Sequence, residues 1–364
     1  MFKLLSVLLS TLLYVSSSVS VQSAPFTTPE ISQLVNHYLQ AIADPKTGIG
    51  ARPAGTAKEQ ETIKYLEKNF QSMGLSVRVQ PFPFGKKKLS SANVIADLNK
   101  DKETTLILAA HLDSTGEKFG SQGAIDNATG LATMLTVAKK MATIKNLPYN
   151  VRFIAFGAEE IGTLGSKYYV KTLLKEKGAT DNIAAMINLD TVAGGDFLYV
   201  HSAHSTPYRC RDVADKYNSD THVRDALFTI AKKRLTPALQ YIIHPAYEGY
   251  PEGETGQWSD HAAFACAGVP IAYIESTNFT LNGKDGYDGY SQSENKALWD
   301  CFDQKTHSAC QRKKEKQWGH IWHTKADQLT VMEQLFSGRI SQQLTANVEV
   351  LVAFLSHYEP KAKK

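Results

Sequence analysis

The sequence predicts an α/β protein of three layers, α/β/α, around a central mixed, mostly parallel sheet. Three observations lead there. Short runs that are apolar almost throughout recur along the chain, and strands of that kind are covered on both faces. Stretches with helical spacing fall between many of them, which is the alternation of an open α/β sheet. The 364 residues, 43% of them hydrophobic, suffice for a large core.

The first residues read as a signal peptide over 1–24. Lys3 supplies a positive start, Leu4 to Val15 an apolar run, and Ser16 to Ala24 a stretch of small residues. The apolar run is shorter than the ~20 residues a spanning helix needs. Export to the periplasm or the outside is expected, with no stable membrane association after cleavage. Thr56 followed by Glu59 reads as a capping box. Ile63, Leu66, Phe70 and Met73 then recur at helical spacing until Gly74. Strands are expected at 75–79, 94–98, 105–110, 151–156, 183–189, 198–200, 239–243 and 270–274. Helices are expected at 130–141, 163–175 and 207–217, and a helical pattern over 331–357 closes the chain. There is no internal repeat, low-complexity linker or domain boundary, so residues 25–364 form one domain.

Several classes of function fall away. The net charge of +4 is mild and no long basic face accompanies it, so nucleic acid is not a partner. No Gly-x-Ser-x-Gly elbow or phosphate-binding glycine loop occurs. The four cysteines, Cys210, Cys266, Cys301 and Cys310, include no Cys-x-x-Cys pair, which disfavours a cysteine-ligated zinc. An even count in an exported chain permits two disulfides. Cys301 and Cys310 are close enough to close a small loop, and Cys210 with Cys266 follows only by elimination.

In open α/β sheets chemistry collects at the carboxyl ends of the strands. His111, the pair Glu159-Glu160 and Asp190 each follow an expected strand, while Asp126 and His323 sit in loops before helices. Singly, each has an ordinary reading. A strand-end His is more often structural, and Asp126-Asn127 before Gly130 could be a turn and cap. His320 competes with His323. Together, two His and three carboxylates are donors that zinc accepts. The odd carboxylate suggests one shared between two metals, and the spare Glu159 is placed to serve as a general base.

Five segments carry a specific resemblance: His111-Leu-Asp113-Ser114, Gly123-Ala-Ile-Asp126-Asn127-Ala-Thr-Gly130, Gly157-Ala-Glu159-Glu160-Ile-Gly162, Asn188-Leu-Asp190 and Trp322-His323-Thr-Lys-Ala-Asp327. They resemble the metal-site motifs of the di-zinc aminopeptidases of metallopeptidase family 28, clan MH. Arg52-Pro-Ala-Gly55-Thr56 and Ser259-Asp260-His261 are similar to further signatures of that family. The resemblance implies the zinc-dependent exopeptidase fold, of the phosphorylase/hydrolase-like type, and two Zn2+ ions. His111 and Asp190 would hold one, Glu160 and His323 the other, and Asp126 would bridge. Glu159 would be the catalytic base and later acid. Asp113 would orient the His111 ring, with Asp327 in a comparable part around His323. The substrate would be the N-terminus of a peptide or protein.

Tyr250-Pro-Glu252-Gly253, Asn278, Gly283-Lys-Asp285-Gly286-Tyr287 and Gly338-Arg339-Ile340 resemble a bacterial periplasmic branch of the family that trims N-terminal arginine. Glu252, Glu254 or Asp260 would then face a basic side chain. The loop at about 280–320 is an elaboration of this chain. Three alternatives stay open: a glutaminyl cyclase-like transferase on the same fold, a carboxypeptidase, and a non-catalytic binding domain.

Overall fold

The computed structural model describes residues 28–86, 88–116, 120–210, 216–282 and 289–359. The expected signal peptide and the Gly283–Tyr287 segment lie outside them. Helix α1 (Thr28–Ala43) opens the described chain, with Ile31, Val35, Tyr38, Leu39 and Ile42 on its buried stripe. Helix α2 (Ala57–Ser72) starts at Thr56, whose hydroxyl accepts the Glu59 amide at 3.3 Å. Glu59 reaches back, although to the Gly55 amide and not to that of Thr56. Strands β1 (Ser76–Phe84), β2 (Leu89–Asp97) and β3 (Thr105–His111) follow, then α3 (Thr129–Met141), β4 (Asn150–Phe156), α4 (Leu164–Leu173), β5 (Ile183–Leu189) and β6 (Phe197–Ala203). The remainder is α5 (His222–Arg234), β7 (Tyr241–Ile242), β8 (Glu254–Thr255), α6 (His261–Cys266), β9 (Ile271–Thr277), the two-residue strands β10 (Phe302–Asp303) and β11 (Ser308–Ala309), α7 (Leu329–Leu335) and α8 (Arg339–Ser356).

Nine strands form one mixed sheet in the order β1-β2-β4-β3-β5-β9-β6-β7, with β8 beside β6. Its centre, β4-β3-β5-β9, is parallel, while β2 and β6 join antiparallel on either side. Alternation along the central strands divides the core. Leu106, Leu108 and Ala110 of β3 pack with α1, α2, α3, α5 and α8, whereas Ile107 and Ala109 pack with α4 and α6 on the other face. These are the three layers that the apolar runs predict.

Several local features differ from the sequence reading. Helices α1 and α5 were not anticipated. The closing pattern splits into α7 and α8, because Gly338 takes a left-handed φ of 73° that interrupts the helix. Residues 207–210 and 216–217 of the expected helix at 207–217 are irregular, and Cys210 is tied to Cys266 of α6. The second disulfide joins Cys301 to Cys310 around the small β10–β11 hairpin. The elaborated loop is pinned to the core by Asp196. Its carboxylate accepts hydrogen bonds from Asn278, the Ser293 hydroxyl, the Glu294 amide and Arg339, all at 2.8–2.9 Å. No helix among the described residues is long and apolar enough to cross a membrane.

Phe153 is fully buried at the heart of this packing and stacks on Phe70 at 6.0 Å. Phe153→Ala is expected to destabilise the protein by about 3–5 kcal/mol, read as a lower urea midpoint with an unchanged slope.

Candidate metal centre

Adjacent parallel strands end together, and that brings the donors together. His111 is the last residue of β3, level with Phe156 of β4, and Glu159 and Glu160 lie just beyond β4. Asp190 is the first residue past β5, the other neighbour of β3. Asp126 comes from a kinked turn at Ala124–Ala128 that feeds α3, and the Asp126–Asn127 peptide bond is cis. The turn starts at Gly123, at φ 64°, where an added Cβ would stand 2.4 Å from that of Ser114. Asn127 fastens it to β5, donating to the Leu189 carbonyl at 2.7 Å and accepting the Gly130 amide. A Cβ on Gly130 would lie 2.4 Å from Asn127 Oδ1, so the motif needs glycine there. His323 arrives from the loop before α7.

The five expected ligands converge. His111 Nε2 is 3.0 Å from Asp126 Oδ1 and 3.4 Å from Asp190 Oδ1. His323 Nε2 is 3.1 Å from Asp126 Oδ2 and 2.9 Å from Glu160 Oε2. The donors form two groups, His111/Asp126/Asp190 and Asp126/Glu160/His323, each with its atoms within 4.8 Å of one another, and Asp126 belongs to both. His320 instead stacks on Trp318 with ring centroids 3.9 Å apart.

The residues fit a pair of cations. Glu160 Oε1 is buried with no hydrogen-bond partner, an acceptor that a cation would satisfy. Burial works against charge on His323, yet Asp126 and Glu160 raise its pKa to about 11. His111 is likewise raised well above the ordinary value, its burial outweighed by Asp190, Asp113 and Asp126. Burial lifts Glu160 to about 8, with Asp126 adding to the effect. Carboxylates dominate the site, and the set calls for positive charge between them.

The surrounding residues hold these donors in place. The Ser259 hydroxyl donates to Asp190 Oδ2 at 2.6 Å and accepts from Asn188. His111 Nδ1 is held by the backbone carbonyl of Asp113, at 3.2 Å, with the carboxylate further off at 3.7 Å. That carboxylate accepts the amides of Glu159 and Glu160, so Asp113 orients the imidazole through its main chain and the glutamate turn through its side chain. Asp327 does not support His323. It braces the Asp126 turn, accepting the Ile125 amide and the Ser121 hydroxyl, each at 2.6 Å.

Arg52 has a part that the sequence did not disclose. It is fully buried, and its guanidinium donates to the carbonyls of Leu112, Gly50, Gln122 and Gly123. It thereby joins the His111 and Asp126 loops while setting a positive charge behind the carboxylates. Burial lowers its pKa, and Asp327, Asp113, Asp126 and Glu160 oppose the drop.

A pocket of about 660 Å³, open mouth included, adjoins the ligands. Glu159 lines it, and burial raises this carboxyl well above the usual range; Asp190, Asp260 and Glu160 push the same way against the pull of His111. Trp258, Tyr273, Tyr290 and Trp322 supply aromatic walls, and among the described residues no Lys or Arg lines the pocket. Glu252, Glu254 and Asp260 do not line it either. Glu254 accepts the Ser205 amide, Glu252 is exposed, and Asp260 is fully buried. Apart from Glu159 and the expected ligands, the acid among the described residues that faces the pocket is Glu275, whose signal was a lone charge within an otherwise uncharged strand.

The model of Peptidase family M28 matches residues 93–348. The chain belongs to that family. As an M28 metallopeptidase it is 30% identical over 287 residues to the alkaline phosphatase isozyme conversion protein of Escherichia coli K12, covering 71% of this chain and 76% of that one. An aminopeptidase of Pseudomonas aeruginosa is 29% identical over 230 residues, 62% of this chain but only 38% of its own length. Two solved structures share the fold. A zinc aminopeptidase from Bacillus subtilis gives a TM-score of 0.60 at 17% identity, covering 93% of this chain and 100% of that one. Porphyromonas gingivalis glutaminyl cyclase gives 0.58 at 20%, covering 91% and 98%.

Arg52→Met is expected to cost this peptidase about 3–5 kcal/mol, the usual effect of breaking a buried charged network. Arg52→Lys should also destabilise, because one ammonium cannot replace a guanidinium fork. Wild-type urea midpoints in both variants would contradict the role.

Proposed function

We propose that the chain is an exported di-zinc aminopeptidase that removes residues, preferentially basic ones, from the N-termini of peptides or proteins. The observation that carries the reading is the split of Asp126, with one carboxylate oxygen toward His111 and the other toward His323. Such a shared carboxylate suits two cations side by side. His111 and Asp190 complete one position, Glu160 and His323 the other. The two disulfides are in keeping with an oxidising compartment.

Zinc bound there would lower the pKa of a water and polarise the scissile carbonyl. The chain's own residues do the rest. Glu159 takes the proton of the attacking water and returns it to the leaving amine. Asp113 fixes the Glu159-Glu160 turn through both amides, which keeps base and ligand in register. Asp190 is steered by Ser259, so its free oxygen faces His111. The aromatic walls hold the substrate and keep water away.

The pocket's charge supports an aminopeptidase over a carboxypeptidase. A C-terminal carboxylate calls for a cationic partner, and the described lining has none beyond the ligand His323; an N-terminal ammonium suits the acids. The complete pair of donor groups favours two-metal hydrolysis over a one-zinc cyclase. Resemblance of 250–253 and 338–340 to the arginine-trimming branch supports the basic preference.

The purified mature protein, assayed on arginyl, lysyl and leucyl nitroanilides, should release nitroaniline. Phenanthroline should abolish the release and added zinc restore it. No release from a zinc-loaded sample would overturn the reading. Glu159→Gln should keep its zinc by elemental analysis and lose on the order of 100-fold or more in kcat, whereas Asp126→Ala should lose metal and activity together. Full turnover in either contradicts the assignment.

A further inference from the structure

Glu275 is a buried acid that neither the donor groups nor the proton transfers use. It lies on β9, one strand over from Asp190: the Asp190 amide donates to the Ile274 carbonyl, and the Ser276 amide donates to that of Thr191. The residue is 4% exposed and lines the pocket beside Thr191, Tyr273 and the ligands. Its Oε1 has no hydrogen-bond partner. His201 Nε2 stands 2.7 Å from it. His201 is itself fully buried among Tyr199, Tyr273, His244 and Phe279, and burial lowers its pKa to about 3. A neutral imidazole gives the carboxylate no counter-charge. Burial raises Glu275 itself to about 8, with His244 opposing and Asp190 adding to the rise. Arg224, whose charge acts on His201, hydrogen-bonds Asp225, Ser202 and the carbonyls of Glu252 and Gly253.

A buried acid whose close contact is an uncharged imidazole, in an aromatic-lined pocket, is held toward its protonated form, an arrangement with little use for a purely structural residue. It becomes favourable when a cation enters. The flat rings of Trp258, Tyr273, Tyr290 and Trp322 also suit a cation on an alkyl stem, since aromatic faces attract positive charge.

We propose that Glu275 selects the substrate's first side chain, its carboxylate pairing with the guanidinium or ammonium of an N-terminal Arg or Lys while the aromatic walls hold the alkyl stem. The assignment rests on the aminopeptidase reading and adds to it the residue that sets specificity. It is distinct from recognition of the α-ammonium group, which every N-terminus carries. Only side chains whose charge stands several bonds from the α-carbon profit from an acid set one strand away from the metal ligands.

The test compares kcat/KM for arginyl, citrullyl, lysyl and leucyl nitroanilides in the wild type and in Glu275→Gln, with zinc measured in both. Citrulline keeps the shape of arginine without its charge. The wild type should favour arginine over citrulline. Glu275→Gln should lose roughly 30-fold or more on the arginine and lysine substrates, the range for a buried charge pair deprived of one partner, and keep its zinc and its leucine and citrulline rates. An equal loss on all four would mean α-amino recognition or general positioning and would overturn the proposal. So would a wild type blind to the charge, or a variant that retains the preference. A wild type active on none of the four would remove the aminopeptidase reading, and the proposal with it. Should Glu275→Gln lose zinc, Glu275→Met takes its place, and argininamide against citrullinamide as inhibitors of wild-type leucine turnover gives a second reading. Equal inhibition by the two sinks the proposal.

Discussion

The crowding of carboxylates at one end of the parallel strands is the constraint around which the rest of this structure is arranged. Asp113, Asp126, Glu160, Asp190, Asp260 and Asp327 are all buried or largely so, and desolvation alone would force most of them to take up protons. Burial and neighbouring charge already lift Asp260 to about 7 and Asp327 to about 6. Positive charge has to come from nearby. It comes from the two imidazoles, from the cations that the donor set fits, and from Arg52 on the far side. Arg52 spends its hydrogen bonds on four backbone carbonyls and none on a carboxylate. It therefore supplies charge without competing for the oxygens that face the metal positions.

The same constraint explains why the fold is needed. Three adjacent parallel strands, β4, β3 and β5, deliver Glu159-Glu160, His111 and Asp190 to one rim. Asp126 cannot come from a strand, since it must lie between the two imidazoles. It is carried on a turn pinned to β5 by Asn127 and to the His323 loop by Asp327. That second tie couples the two halves of the site. The loop that brings His323 also holds the turn that brings Asp126, so neither donor group can relax without the other.

Much of this was legible in the sequence. Apolar runs at 105–110, 151–156 and 183–189 gave the central strands because strands covered on both faces have no polar side to conceal them. The five residues that converge were singled out because residue type and motif agreed, with strand-end position adding weight for His111, Glu160 and Asp190. What remained hidden was hidden for physical reasons. The break at Gly338 depends on a left-handed φ, and the helical pattern runs straight across it. The motif resemblance set Asp327 beside His323, whereas its carboxylate turns back across 202 residues to the Ile125 amide. Helix α1 carried a readable stripe of Ile31, Val35 and Ile42 but stood beside the expected export signal. Glu275 was overlooked because one acid in a strand has no motif; only its burial and its place on the pocket wall give it meaning.

That contrast bears on how activity is distributed within this architecture. A zinc aminopeptidase and a glutaminyl cyclase both superpose on the chain over most of its length, so the sheet and its helices do not select the reaction. On the proposed reading the donor set would take two cations and Glu159 would carry the proton. The remaining choice, which chain end and which side chain, falls to groups that touch neither cation. On the proposed reading those groups are Glu275 and the four aromatic rings that line the pocket with it. An acid there would discriminate because only a substrate bringing the matching charge favours its ionised form. A neutral side chain of equal size would leave the acid protonated as before. Specificity of this kind can change with a single strand residue while the metal site stays intact.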